Sequence, residues 1–162
     1  MADEQIGAVL TSIANNGSNG NQILAQILAA LQNQGTIAAT GSITSSSPTA
    51  GIGYATGAGG TVTQLTSKST GVTINKVCGQ ITMNNAALAS GASVTFTVTN
   101  SACTALTMAL VNHVSGGTAG SYRVQGGNYA NGSFGITVTN ISGGSLSEAI
   151  VIGFMLDRYT TA

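Results

Sequence analysis

From Thr61 onward apolar and polar residues alternate, and this period of two commits most of the chain to strands. Val94, Phe96 and Val98 alternate with Thr95, Thr97 and Thr99, and Ile136 and Val138 alternate with Thr137 and Thr139. Successive side chains of a strand point to opposite faces, so this is the pattern of a strand buried on one side. Together with the Gly, Asn and Ser clusters that interrupt it, the alternation places strands near 61–67, 71–77, 79–84, 92–100, 105–114, 121–126, 133–140 and 147–158. Eight strands with short turns predict a mainly β fold. The expected form is an eight-stranded antiparallel β-sandwich of jelly-roll type, preceded by a short helical N-terminal arm. Asn131-Gly132 fits a two-residue hairpin turn, because both residue types accept positive φ. Residues 105–114 and 149–156 are apolar on both faces and are expected to be central or covered by another subunit.

The first 33 residues follow a different period. Ile6, Val9, Leu10 and Ile13 recur at three- and four-residue spacing, with Asp3 and Glu4 where carboxylates favour a helix N-terminus. Asn15-Asn16-Gly17-Ser18 breaks the pattern. A second stripe then starts after the N-cap candidate Asn21 and carries Ile23, Leu24, Ile27, Leu28 and Leu31. Helices this short are marginal alone in water, so something must cover both stripes. Folding back on the β domain and attachment to other chains are both open; the Gly-rich separation of the arm from the core favours attachment or oligomerisation. Residues 34–60, rich in Gly, Ser and Thr, read as an extended linker, and residues 61–162 as the β domain.

Between Glu4 and Glu148 there is no Asp and no Glu, and the chain of 162 residues carries only four acids, four bases and His113. General acid–base catalysis, carboxylate-held Ca²⁺ and glycoside cleavage each need acidic groups gathered at one site. His113 has no adjacent carboxylate to orient it, and no G-x-S-x-G elbow is present. An enzyme, a metal site and a cofactor are therefore not expected. Lys68, Lys76, Arg123 and Arg158 are scattered, which disfavours nucleic acid and membrane surfaces as partners. With 43% hydrophobic and 5% charged residues, the surface must be built from Ser, Thr, Asn, Gln and Gly, a composition that does not repel other copies.

Cys78 and Cys103 lack a C-x-x-C spacing and a nearby His. The N-terminus shows no basic region with a cleavage site, so a reducing compartment and two buried free thiols are expected, with a single disulfide as the alternative. Asn140-Ile-Ser matches the glycosylation triplet by chance in so Asn- and Ser-rich a chain. Tyr122, Arg123, Asn128, Tyr129 and Asn131 form the one local group of aromatic and polar residues, and they are the candidate outer-surface contacts for a ligand such as a sugar. A wet hairpin edge is the plainer reading of the same residues.

Gly51-Ile-Gly-Tyr-Ala-Thr-Gly through Lys76, then Gly79-Gln-Ile-Thr-Met-Asn-Asn-Ala-Ala-Leu88, and Gly143-Gly-Ser-Leu-Ser-Glu-Ala-Ile-Val-Ile152 resemble a family of small virion structural proteins of tailed bacteriophages and prophages. The resemblance covers roughly residues 51–160 and leaves the arm outside it. It implies a virion location, after synthesis in the host bacterial cytoplasm, as a homotrimeric capsid decoration (cement) or head-fibre protein. The partners would be its own copies and the major capsid protein or another virion protein. A tail-fibre or tail-tip adhesin that reads a host surface glycan is the alternative.

Overall fold

The computed structural model describes residues 5–9, 11, 27, 46, 48, 49, 51 and 53–161. The chain divides into two compact units, Met1–Ile52 and Gly53–Ala162. In the first unit residues 5–9 and 11 are helical, as is Ile27. Thr11 Oγ1 donates to Gly7 O at 2.9 Å, the backward bond a threonine makes within a helix. Ile6 is exposed, and Val9 and Ile27 are half-buried. The expectations for Leu10, Ile13, Ile23, Leu24, Leu28 and Leu31 lie outside the described residues.

The second unit holds eight strands: β1 (Gly59–Thr63), β2 (Val72–Thr73), β3 (Cys78–Thr82), β4 (Ser93–Thr99), β5 (Thr107–Ser115), β6 (Tyr122–Ala130), β7 (Ser133–Asn140) and β8 (Val151–Arg158). They form two four-stranded sheets, ordered β1-β3-β8-β5 and β2-β4-β7-β6. The all-antiparallel expectation fails at two pairs, since β1 runs parallel to β3 and β2 parallel to β4. The cause is the route of the chain. From β1 to β5 each strand is followed by one in the other sheet, so β1 and β2 each find a partner in the second strand along, which can run in the same direction. The expected linker also yields its last residues to the fold: β1 begins at Gly59, and the hydroxyl of Tyr54 donates to Leu156 O.

Both sheets contribute to one core. Ile81, Ala109, Ile152, Phe154 and Leu156 come from the first sheet; Val72, Phe96, Val98, Phe134, Ile136 and Val138 come from the second. Phe134 meets Phe154 from the other sheet at a ring-centroid distance of 5.7 Å and Tyr129 at 6.4 Å. β8 is central, as its two apolar faces require. β5 is equally apolar but stands at the end of its sheet.

Two buried asparagines close strands where Thr-Asn recurs in the sequence. Asn100, just past β4, donates to Lys76 O (2.7 Å) and accepts from Ala102 N (2.8 Å). Asn140, the last residue of β7, donates to Leu88 O and Gly144 O, both at 2.8 Å, and accepts from Ser142 N and Ser142 Oγ. Its amide nitrogen is fully engaged and the residue fully buried, which removes it as a glycan acceptor. Asn140→Ala is expected to lower stability by about 1–3 kcal/mol, since Ser142 N loses its acceptor and Leu88 O and Gly144 O each lose a donor. Urea denaturation followed by circular dichroism checks it.

The hairpin turn lies where expected, with Ala130 paired to Ser133 around Asn131-Gly132. Only Gly132 has positive φ (85°); the one described non-glycine with positive φ is Asn128 (51°), at the irregularity of β6 between Gly127 and Ala130. Both cysteines are free, Cys103 buried and Cys78 half-buried.

Candidate functional site

The two sheets present outer faces of opposite chemistry. On β4 the outward positions are Ser93, Thr95, Thr97 and Thr99, and on β7 they include Thr137 and Thr139. Ser93 Oγ meets Thr139 Oγ1 and Thr95 Oγ1 meets Thr137 Oγ1, each at 2.8 Å, so hydroxyls pair across the strands. Arg123 and Gln125 of β6 continue this hydroxyl-lined face.

The other outer face is largely apolar along β5 and β8, with Asn112 between Leu110 and Val114. Met108, Leu110 and Val114 of β5 and Met155 of β8 are between 40 and 49% exposed. Register places Leu110 opposite Met155, and Met155 opposite the half-buried Cys78. Val114 lies over Gly153, where a Cβ would come within 2.9 Å of Val114 Cγ1. Asp157, opposite Met108, is the charged residue at the end of this strip. A strand edge in solution is ordinarily guarded by charge or proline, and β5, Thr107-Met-Ala-Leu-Val-Asn-His-Val-Ser115, has no Lys, no acid and no Pro.

Of the two rings expected at the outer surface, one is buried and one half-buried. Tyr122 is buried, at 7% exposure, and Tyr129 is half-buried against Phe134, with its hydroxyl toward Ala109 O at 3.4 Å. The reason is legible in Tyr122-Arg-Val-Gln: alternation puts Tyr122 with Val124 on the inner side and Arg123 with Gln125 outside. Arg123, Asn128 and Asn131 remain exposed, but Asn131 Oδ1 is engaged by Ala105 N at 3.2 Å. No platform of exposed rings results.

Sequence reasoning missed a polar corner around Glu148. Its carboxylate accepts from Thr118 N (2.9 Å), Thr118 Oγ1 (2.7 Å) and Tyr122 Oη (2.9 Å). Its main-chain oxygen takes the ammonium of Lys68 at 2.6 Å, and that ammonium also donates to Asn84 O at 2.6 Å. Gln64 completes the group, donating to Lys68 O and Thr70 O and accepting from Asn84 N. The available signal was the isolation of Glu148, the single acid in a long uncharged stretch.

The hydrogen bonds from Thr118, aided by that of Tyr122 and by the charge of Lys68, hold the Glu148 carboxyl below its ordinary range against a smaller opposing effect of burial. Burial pushes the Lys68 ammonium down, and Glu148 opposes this. Burial, then the bond to Glu148, pushes the Tyr122 phenol up to about 12. A folded-state value above the unfolded one of 10.0 gives stability that is complete below pH 10 and lost as pH rises to about 12. In Tyr122→Phe that alkaline loss should disappear, which thermal melts at pH 9, 10, 11 and 12 would show.

His113 stands beside this corner, edge-on to Tyr122 at 5.7 Å. Its Nε2 contacts Ser115 O (3.0 Å) and Gly116 O (2.6 Å). Carbonyls only accept, so Nε2 carries the proton. A cleft of about 280 Å³ opens here, lined by His113, Val114, Ser115, Gly116, Gly117, Ala119 and Gly120. Among the described residues no three His, Cys, Asp or Glu side chains gather as a metal would need. None of the described helices is long and apolar enough to cross a membrane. No protein-family model, curated protein or solved structure matches the chain.

Proposed function

We propose that the protein is a bacteriophage virion structural part, a homotrimeric capsid decoration or head-fibre protein attached through its N-terminal arm. The observation that carries this reading is the half-exposed apolar strip of Met108, Leu110, Val114 and Met155 on a chain with almost no charge. Water disfavours such a strip by about 25 cal/mol per Å², and burial against other copies or a shell protein removes that cost. The resemblance of residues 51–160 to small phage virion proteins points the same way. The arm stripe represented by Ile6 and Val9 supplies the second contact.

The shared core supports a β-sandwich, and the nested pairing of β3 with β8 and β4 with β7 supports a winding of jelly-roll kind. The inward turn of Tyr122 and Tyr129 weakens the adhesin reading, because stacking on a sugar needs exposed rings.

Gold-labelled antibody on particles released from producing cells tests the assignment. Label over the heads is the expected result, and label restricted to tails, or absent from particles, overturns it. Light scattering on the full-length protein is expected to give the mass of three chains.

A further inference from the structure

We propose that residues 117–120 form an acid-releasable flap, held closed over Ile150 by the Glu148 carboxylate and freed when that carboxylate takes a proton. Three observations converge on it. First, the flap's attachment is concentrated in one residue: Thr118 gives the carboxylate both its amide and its hydroxyl, while Ser121 N to Thr118 O is a bond within the turn.

Second, the flap is bounded by residues suited to a hinge. Gly117 (φ 64°) and Gly120 (φ 75°) both occupy the left-handed region, where glycine rotates without a side-chain penalty. The stem is fixed separately, since His113 Nε2 holds Ser115 O and Gly116 O. Third, the flap covers something. A Cβ on Gly117 would lie 2.7 Å from Ile150 Cγ2 and 2.8 Å from Glu148 Oε2, so the backbone there sits directly on a fully buried isoleucine.

The groups that face Glu148 set the direction of the response. Tyr122 of β6 donates to it, Lys68 from the β1–β2 connection adds positive charge at its main-chain oxygen, and His113 of β5 stands beyond the Tyr122 ring. The two bonds from Thr118, then Tyr122 and Lys68, favour the charged carboxylate, so release requires a pH below the ordinary carboxylate range. A neutral carboxyl keeps one good acceptor oxygen in place of two charged ones, and three donors then compete for it.

Amide exchange of the full-length chain, read by NMR as protection factors, tests this. In Glu148→Gln the Thr118 amide should lose about tenfold in protection at pH 7, the difference between a charge-assisted and a neutral hydrogen bond. The amides of Ile136 and Ile152 should keep theirs, and wild type should reach the same loss at Thr118 only below about pH 4. Should Glu148→Gln not fold, Thr118→Val removes one of the bonds while leaving the carboxylate charged, and it should lower protection of residue 118 at pH 7. Unchanged protection in the variant, or acid loss at residue 118 that coincides with loss at Ile152, overturns the proposal.

Discussion

Phe134→Ala is expected to lower the stability of the β unit by about 3–5 kcal/mol, the range for truncating a buried phenylalanine. Phe134 is 1% exposed on β7 and touches aromatic rings from two directions, Phe154 across the sheets and Tyr129 along its own. The strand backbone on either side is held by β4 and β6, so the surroundings cannot close on the void. A domain of ordinary size has only about 5–15 kcal/mol in total, so the loss should show as a large drop in the denaturation midpoint. Phe134→Leu should recover much of it, because a smaller void remains. A variant as stable as wild type would mean that the two sheets do not share this contact.

Lys68→Met is the second large effect, expected to cost about 2–4 kcal/mol by leaving Asn84 O and Glu148 O without their donor. Lys68 is 4% exposed, and methionine fills similar space, so lost packing contributes little. The pH dependence separates charge from geometry. Burial holds the folded ammonium below its ordinary 10.5, so the unfolded chain binds more protons as pH approaches that value. Wild-type stability therefore gains from Lys68 over that window, and the deficit of Lys68→Met should be larger at pH 10.5 than at pH 7. Both proteins should carry Tyr122→Phe in this comparison, since the phenol titrates with the opposite sign. A deficit that shrinks with rising pH would show that the ammonium is held by its charge more than it is penalised by burial.

Much of the strand layout was legible. The span expected for β7, 133–140, matches the strand residue for residue, and β4 at Ser93–Thr99 lies within the expected 92–100. Alternation is enforced by each strand's own exposure to core and solvent, so it survives in the sequence. The boundaries failed where that exposure is weak. β2 shrinks to Val72–Thr73, and β8 starts only at Val151, after an isolated bridge from Leu146 to Leu88. Met108 and Leu110 mark the apolar strip of β5 in the amino-acid sequence itself, whereas the place of that strand at a sheet end leaves no such mark.

The polar corner was hidden for a different reason. Lys68, Asn84, Thr118, Tyr122 and Glu148 are spread over 80 residues between the outermost two, and main-chain oxygens provide both acceptors of Lys68. No residue-type pattern records which carbonyl a lysine will reach. The ring pair Tyr122 and Tyr129 shows the converse: their nearness in the chain implied a common surface, while the period of two had already turned Tyr122 inward.

Local composition decided which residues form strands, which side of most strands is apolar, and that charged side chains are few. The tertiary fold decided which strands meet, that two pairs run parallel, and that Lys68 and Glu148 share a corner. The physical reason is range. Alternation and turn preference act between near neighbours, whereas sheet membership depends on the layer to which the chain crosses after each strand, a choice settled by packing of the common core.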